Sequence, residues 1–350
     1  MPAPDRTRAP RTPAPDRTRT PAPRTRAPHP RALLALTAAA LLLPALAACG
    51  GGPAGAGPGS GAPAGAASPA PTGNVLAAVG RQPALAKLLP ADVRARGTLR
   101  IASSVGAPPS AYFPDASAKQ PVGLDIDIAD AAAKVLGVRL VRQEAGFDAI
   151  LPALGSGKYD LGTGNFGVTD ERRRTVDFVT YINDGQGFAV SRQDTGQKKI
   201  TSLLQLCGKN VGVGAGTTFE ATLDAQRARC GKAGKKPYQV KVYSDNGSAL
   251  TSLQQGRIDI TMSTINGLRY QASQPAAGVR FLGEFQRLDV GFALKKGSPL
   301  AKPLQAAVDE LIADGTYARI LDKWGVRGSA IRHSQISPPE LAARHPAPAR

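Results

Sequence analysis

Arg172 is the residue whose type and position most directly predict a binding chemistry. A guanidinium presents a planar fork of N–H donors that matches a carboxylate in a bidentate pair. Thr169 stands three residues earlier, where its hydroxyl can cap a short helix. An arginine in the first turn of a helix opposes the helix dipole, which favours a negative partner nearby. We therefore expect Arg172 to bind a carboxylate, and we expect Arg173 and Arg174 to lie at the surface.

A glycine-rich turn supplies a second candidate anion site. The Gly-x-Gly-x-Gly of 212–216 follows a predicted strand and precedes a predicted helix that starts at Thr217. Its spacing differs from the Gly-x-Gly-x-x-Gly of dinucleotide sites, so no nucleotide is predicted. Amide N–H groups at such a helix N-terminus attract an anion. Thr217 and Glu220 match a capping box, so Thr217 is expected to be mainly structural and Thr218 to face the anion.

The first 73 residues are typical of a targeting and tether sequence. Residues 1–31 carry eight Arg and two Asp, the apolar stretch of 32–48 follows, and Cys49 comes directly after Leu-Ala-Ala. This order predicts a secretory signal peptide over 1–48, because the apolar stretch is shorter than the roughly 20 residues that span a membrane. The residues before Cys49 resemble a bacterial lipobox, which implies a lipid on its thiol and anchoring to the outer face of the cytoplasmic membrane. The alternative is a plain signal peptide with an incidental cysteine. Residues 49–73 are then a flexible, lipidated tether.

Composition excludes several other classes of function. All three histidines lie in terminal segments and no Cys-x-x-Cys occurs, so we predict no metal and no cofactor. Cys207 and Cys230 remain as a pair in an exported chain, which predicts a disulfide, with two free thiols as the alternative. The Arg and Lys residues are scattered and not interleaved with aromatics. We therefore expect a solvated basic surface beside an anionic envelope and no nucleic-acid partner.

Strands and helices alternate after a helical lead-in at 74–96, which predicts an α/β fold with largely parallel strands. The pattern restarts after residue 191, which indicates two domains, and the Pro-rich tail of 329–350 is expected to be mobile. The predicted strands are 98–103, 138–142, 159–162, 187–191, 210–213, 239–243, 259–262 and 291–294. The predicted helices are 127–136 (capped by Asp125 or Asp127), 147–155, 169–174, 200–206, 217–229, 247–255 and 300–324.

Six segments keep a common order and spacing between about residues 99 and 326. They are Gly-Leu-Asp-Ile-Asp at 123–127, the Leu-Pro-Ala-Leu stretch of 150–160, Thr-Asp-Glu-Arg with Val-Asp-Phe across 169–178, Gly-Val-Gly-Ala-Gly-Thr at 212–217, Gly-Arg-Ile-Asp at 256–259, and Asp-Gly-Thr-Tyr with Lys-Trp across 314–324. In this arrangement the chain resembles family 3 of the extracellular solute-binding proteins.

The resemblance implies a two-lobed periplasmic-binding-protein fold of type II, with a ligand cleft between the lobes. Lobe 1 would comprise 97–186 plus 286–328, and lobe 2 would comprise 187–285. The implied protein is a monomeric receptor and not an enzyme. It captures a small carboxylate-bearing solute, an amino acid or a related molecule, as the lobes close. It then delivers the solute to an ABC-type permease in the cytoplasmic membrane.

Carried over motif by motif, the resemblance implies binding roles for eight residues. Arg172 would hold an α-carboxylate from lobe 1, and the turn at Thr217 and Thr218 would grip it from lobe 2. The other implied contacts are the Phe147 ring, Asn165, the backbone of Gly167, Ser104 and Thr264.

Two of these positions depart from the family pattern. Family members that bind α-amino acids commonly hold the ammonium with acidic residues where this chain has Ser104 and Thr264, and Ala107 replaces an aromatic that often covers the ligand. A buried ammonium without a carboxylate is unfavourable. The solute therefore either lacks a strongly held ammonium, or Asp184 or another acid supplies the charge.

Two other functions stay open on the sequence. Cyclohexadienyl dehydratases resemble this family, but their chemistry needs a positioned general acid, which Ser104, Ala107 and Thr264 do not supply. A sensor module that binds solute without transport is not distinguished from a transport receptor by these residues.

We predict that Cys49→Ala releases the protein from the membrane without changing solute binding, because the tether contains no core-forming sequence. Cell fractionation should find the variant soluble or retained as a precursor. A variant that stays on the membrane after its leader is cleaved contradicts lipid anchoring at Cys49.

Overall fold

The computed structural model describes residues 70–341, so the predicted leader, Cys49 and most of the tether lie outside the described residues. The strands are β1 Thr98–Ser103, β2 Arg139–Glu144, β3 Leu161–Gly167, β4 Val176–Ser191, β5 Asn210–Gly214, β6 Gln239–Tyr243, β7 Ile260–Thr264 and β8 Val279–Lys295. The α-helices are α1 Pro83–Ala86, α2 Ala91–Arg96, α3 Leu124–Leu136, α4 Phe147–Gly155, α5 Thr218–Gln226, α6 Ala228–Lys232, α7 Asn246–Gln254, α8 Ile265–Ser273, α9 Ala301–Ala313 and α10 Thr316–Lys323. Short 3₁₀ helices cover Arg172–Arg174, Leu203–Leu206, Pro275–Ala277 and Arg327–Ser329.

The strands form one mixed sheet in the order β2-β1-β3-β8-β4-β7-β5-β6. The pairs among β1, β2 and β3 and among β5, β6 and β7 are parallel, as predicted. The α/β class is confirmed, but β4 and β8 pair antiparallel along almost their whole length. Only their last residues were predicted as strand. Nearly every residue of β4 is buried, so it lacks the alternation by which a half-buried strand is detected.

Apolar side chains pack into cores on either side of a crossing made by β4 and β8. Tyr181 and Phe292 belong to the core on one side, together with helices α3, α9 and α10. Phe188 and Tyr238 belong to the core on the other side. The crossing segments join these two sets, which is the two-lobed arrangement that the resemblance implies. The lobe boundaries given above stay a prediction.

Helix α3 begins three residues before its predicted start. Neither Asp125 nor Asp127 caps it, because Gly123 takes the N-cap position with φ +150°. A Cβ at Gly123 would lie 2.1 Å from the carbonyl oxygen of Ser110, so only glycine fits there. Asp127 instead accepts hydrogen bonds from Lys323 Nζ and Trp324 Nε1, both at 2.8 Å. This contact ties the closing helix α10 to α3.

The chain after residue 328 differs from the mobile tail predicted by its proline content. Ile336 forms a bridge with Val179 of β4, and Ser334 is 1% exposed. This half of β4 has β8 on one side, and within residues 70–341 only the tail pairs with its other side. An uncovered strand edge is a source of unpaired backbone groups, which the tail satisfies. The part of the tail after residue 341 lies outside the description.

Cys207 and Cys230 form the predicted disulfide, with their Cα atoms 5.7 Å apart. It joins the 3₁₀ helix before β5 to α6, at the edge of the second core. The predicted lead-in at 74–96 forms two short helices, α1 and α2. Among the described helices, none has the length and apolar composition to cross a membrane.

We predict that the Cys207→Ser/Cys230→Ser double variant is destabilised by about 3 kcal/mol, because the bond closes a loop of 23 residues in the unfolded chain. Urea denaturation of the variant and of its parent, both carrying Cys49→Ala, measures the difference. Alkylation of two thiols in the native, unreduced parent would contradict the bond.

Candidate functional site

A cavity of about 140 Å³ opens at the carboxyl ends of β1, β3, β5, β6 and β7. Ligands of α/β sheets bind at this edge of the strands. Its walls come from both sides of the β4–β8 crossing. All eight residues that the sequence assigns to the site line it: Ser104, Phe147, Asn165, Gly167, Arg172, Thr217, Thr218 and Thr264.

Arg172 lies in the wall at the start of a 3₁₀ helix of three residues, shorter than the helix predicted over 169–174. The hydroxyl of Thr169 accepts a hydrogen bond from the Arg172 amide at 3.2 Å, the contact expected of it, but Glu171 and not Thr169 is the N-cap of this short helix. The guanidinium donates through Nη1 to the carbonyl oxygen of Gly167 and through Nη2 to that of Gly216, both at 3.0 Å. Gly167 ends β3 and Gly216 precedes α5. Arg172 therefore spans the cavity from one lobe to the other.

Two aromatic rings lie beside the Arg172 guanidinium. The ring centroids of Phe147 and Phe166 are 5.7 Å and 5.9 Å from its central carbon. The rings stack on each other with their centroids 4.7 Å apart. An aromatic face attracts a cation electrostatically. Phe147 thus lines the cavity and also supports the arginine, while its contact with solute stays a prediction.

Arg172 carries a charge that no carboxylate neutralises directly. Burial lowers the pKa of its guanidinium to about 10, and the charges of Glu171 and Glu340 oppose that shift. The group stays protonated at neutral pH. Among residues 70–341, no carboxylate lies within ion-pairing distance of Arg172. A partly buried cation whose hydrogen-bond partners are carbonyl oxygens still lacks a negatively charged partner, so the site is suited to bind an anion.

The glycine-rich turn between β5 and α5 faces Arg172. Thr217 is the N-cap of α5, where its hydroxyl accepts from the Glu220 amide at 3.3 Å and donates to the Gly214 carbonyl at 2.7 Å. This is the expected structural role. The Glu220 carboxylate accepts from the Gly216 amide at 2.7 Å, one residue earlier than in the predicted capping box. Within the described chain, the amides of Thr217 and Thr218 have no acceptor, so they remain available to an anion.

Gly216 must be glycine for this turn to approach the other lobe. Its φ is +67°, and a Cβ there would lie 3.0 Å from the Cβ of Asp148 on α4. A side chain at 216 would strain the turn and push α4 away. The close approach also brings the Gly216 carbonyl within reach of Arg172.

Asp184 does not supply the acid that is missing at Ser104 and Thr264. It is fully buried at the crossing and is absent from the cavity wall. Its carboxylate accepts from the side-chain amide of Asn165 at 3.0 Å and from the backbone amide of Asn266 at 3.1 Å. The backbone amide of Asn165 donates to the equally buried Asp125 at 2.9 Å. Asn165 therefore touches the cavity while its hydrogen bonds hold the crossing together.

Burial raises the pKa of both buried acids, Asp125 and Asp184, to about 6. The Asn266 amide, the Asn165 side chain and the charge of Arg287 oppose the shift at Asp184. The Tyr181 hydroxyl and the Asn165 amide oppose it at Asp125.

The remaining predicted residues contribute polar backbone and hydroxyl groups. The Ser104 amide donates to the Thr163 carbonyl at 3.0 Å, which leaves its hydroxyl at the cavity wall. The Thr264 hydroxyl accepts from the Gly267 amide at 3.1 Å and so caps α8. The Gly167 carbonyl, expected to meet solute, accepts from Arg172.

Asp245 is a wall residue that the sequence motifs did not predict. It is the single carboxylate among the described residues that line the cavity, and it lies just after β6 as the N-cap of α7. Hydrogen bonds from the amide and hydroxyl of Ser248 lower the pKa of this exposed acid. Its position after a strand and before a helix is the signal that could have identified it. The other polar wall residues missed are Ser110, Ser244, Asn246, Ser263 and Gln271. No group of three or more His, Cys, Asp or Glu in the described chain could hold a metal ion.

Comparison with known proteins gives the same picture as the motifs. The model of the bacterial extracellular solute-binding proteins, family 3, matches residues 99–327. The arginine-binding protein ArgT of Corynebacterium glutamicum is 28% identical over 257 residues, which cover 73% of this chain and 83% of that protein. The L-cystine-binding protein TcyJ of Escherichia coli is 29% identical over 235 residues, covering 66% and 84%. A solved structure of an ancestral arginine-binding protein bound to arginine has 37% identity and a TM-score of 0.58, and covers 65% of this chain and 98% of its own.

The raised pKa of Asp184 gives a prediction with a definite sign. Between about pH 4 and pH 6 the folded chain binds the proton that the unfolded chain has lost, so stability falls as pH rises through this window. The stability of the parent minus that of Asp184→Asn should therefore fall by about 2 kcal/mol from pH 4 to pH 6.5. Urea denaturation at a series of pH values measures it. Any pH-independent effect of the amide cancels, and a difference that is flat or rises with pH contradicts the prediction.

Proposed function

Since the chain belongs to the family 3 bacterial extracellular solute-binding proteins, we propose that it captures a small carboxylate-bearing solute, an amino acid or a related molecule, between its lobes. It delivers this solute to an ABC-type permease in the cytoplasmic membrane. In this proposal the mature protein is a monomer, held by a lipid on Cys49 at the outer face of that membrane. The relatives named above are binding proteins for amino acids, which supports this class of solute.

The observation that carries the proposal is the unneutralised charge of Arg172. The group faces a cavity, stays protonated at neutral pH and has carbonyl oxygens as its hydrogen-bond partners. A solute carboxylate would replace one or both carbonyls and neutralise the cation in a charge-assisted pair.

The second lobe supports the same anion. The amides of Thr217 and Thr218 lie at the positive end of the α5 dipole and have no acceptor in the described chain. A carboxylate held by both Arg172 and this turn contacts the two lobes at once. Solute binding would therefore stabilise the closed arrangement.

The other polar wall residues suggest which groups the solute carries besides its carboxylate. Ser104 and Thr264 offer hydroxyls, and the Thr264 hydroxyl is already an acceptor for the Gly267 amide. Neutral acceptors hold an ammonium less strongly than a carboxylate does. We propose that the α-amino group is dispensable and that Asp245 meets any further cationic group of the solute.

The dehydratase alternative receives no support from the cavity. Its single acid in the described wall, Asp245, has a lowered pKa and is ionised at neutral pH. An ionised carboxylate does not serve as a general acid. No feature of the described chain favours a sensor over a transport receptor.

We predict that Arg172→Ala abolishes solute binding while Arg174→Ala, a matched control on the same turn, leaves it unchanged. Loss of the buried partner of a carboxylate should reduce affinity by about 2–5 kcal/mol. A thermal-shift screen with amino acids, their carboxamides and their deaminated analogues selects the solute, and titration calorimetry measures the variants.

The parent should be stabilised by acids with and without the α-amino group, and far less by carboxamides. Near-parent affinity in a folded Arg172→Ala variant contradicts the assignment of the carboxylate. Stabilisation by free α-amino acids alone would show that the amino group is held strongly after all.

A further inference from the structure

The chain continues beyond the region that matches the family, and its continuation is built against β4. The family match ends at residue 327. We call residues 333–341 the C-terminal strap. Thr180 of β4 donates its amide to the carbonyl of Gln335 in the strap at 3.0 Å, and the Thr180 hydroxyl accepts from the Gln335 amide at 2.8 Å. Ser334 donates its hydroxyl to the Thr180 carbonyl at 2.7 Å.

The strap then follows β4 back toward its first residue. Ser337 donates its amide to the Phe178 carbonyl at 2.9 Å, and its hydroxyl accepts from the Phe178 amide at 3.0 Å. Ser337 has φ +45°, a conformation rare for a residue with a side chain. The hydrogen bonds on both sides of it hold the strap in this bend, which directs the following residues to the turn of Arg172.

The strap binds Asp170 and Arg173, the residues on either side of the Glu171–Arg172 pair in that turn. The Ser337 carbonyl accepts from Arg173 Nε at 3.0 Å. Glu340 and Asp170 form two reciprocal hydrogen bonds. The Asp170 amide donates to the Glu340 carboxylate at 3.0 Å, and the Glu340 amide donates to the Asp170 carboxylate at 3.2 Å. Asp170 also pairs with Arg173 Nη1 at 2.6 Å.

The turn has little of its own to fix its position. Its 3₁₀ helix is three residues long, and Glu171, Arg174 and Thr175 are exposed. Short 3₁₀ segments have poor hydrogen-bond geometry and depend on their surroundings. The strap provides those surroundings from outside the cavity wall, where Glu340 and Leu341 border a wide groove beside Arg172.

We propose that the C-terminal strap is a positioning element of the binding site, which fixes the Arg172 turn so that the guanidinium meets the solute carboxylate. The proposal rests on the proposed role of Arg172. A binding group must be held to within about 0.5 Å by the residues around it, and the strap does this through Asp170 and Arg173. Glu340 and Ser337 are thus positioning residues that act through the turn.

A mainly electrostatic role for Glu340 would change solute affinity in the opposite direction from a positioning role. If its negative charge mainly competed with the solute carboxylate for Arg172, removing it would tighten binding. As a positioning group it accepts a hydrogen bond from Asp170, which an uncharged amide oxygen can also accept. Glu340→Gln and Glu340→Ala therefore separate the two roles.

The experiment uses the full chain with Cys49→Ala and three variants, Glu340→Ala, Glu340→Gln and the in-strap control Gln335→Ala. Hydrogen–deuterium exchange of the 169–175 amides reports on the turn without any solute. Titration calorimetry with the best amino acid of the screen, and with its carboxamide, reports on carboxylate recognition.

Glu340→Ala should speed exchange of the 169–175 amides and weaken binding of the amino acid about tenfold. It should also narrow the preference for the acid over its carboxamide, which a general loss of stability would not do. Glu340→Gln and Gln335→Ala should resemble the parent.

Unchanged exchange and affinity in Glu340→Ala, or tighter binding, overturns the proposal. Equal losses in Glu340→Ala and Glu340→Gln also overturn it. If the parent binds none of the solutes, the proposed function fails. Faster exchange confined to 169–175 in Glu340→Ala then still supports the positioning role, and unchanged exchange overturns it.

Discussion

The site depends on one electrostatic constraint, which is that the Arg172 charge must be kept close to apolar rings without a carboxylate of its own. The rings of Phe147 and Phe166 and the carbonyls of Gly167 and Gly216 hold the guanidinium in place. None of these groups carries a negative charge. The protein thus tolerates a cation that has no negatively charged partner, and a solute carboxylate can supply that partner. Recognition would come from what the fold leaves unneutralised.

The β4–β8 crossing brings the parts of this site together. The long antiparallel strands carry residues of both cores, so the cavity walls come from two separately packed bodies. At the crossing, Asn165 links two buried acids whose raised pKa values show that burial disfavours their charge. Such a buried network is unfavourable unless each member is hydrogen-bonded, and it defines one arrangement of the strands. Its Asn165 member also lines the cavity, so this buried network and the site share a residue.

The sequence predicts the local elements well where a few neighbouring positions determine them. Helix α4 and strands β1 and β6 have the predicted bounds, and all eight predicted residues line one cavity. The sequence fails to predict features that are determined by contacts between distant parts of the chain. The missed part of β4 is buried and lacks alternation, the strap is ordered by an open edge of β4, and the crossing holds Asp184 away from the cavity. Asp245 was missed because a capping aspartate is common and its place in the wall depends on the second lobe.

A crystal structure of the protein with the solute it carries on purification, identified by mass spectrometry of the denatured sample, tests the central claim most directly. The account predicts a carboxylate with both oxygens about 3 Å from the Arg172 guanidinium or from the amides of Thr217 and Thr218. A solute whose carboxylate lies elsewhere, or one without a carboxylate, with the Arg172 guanidinium still bound to the Gly167 and Gly216 carbonyls, would contradict it.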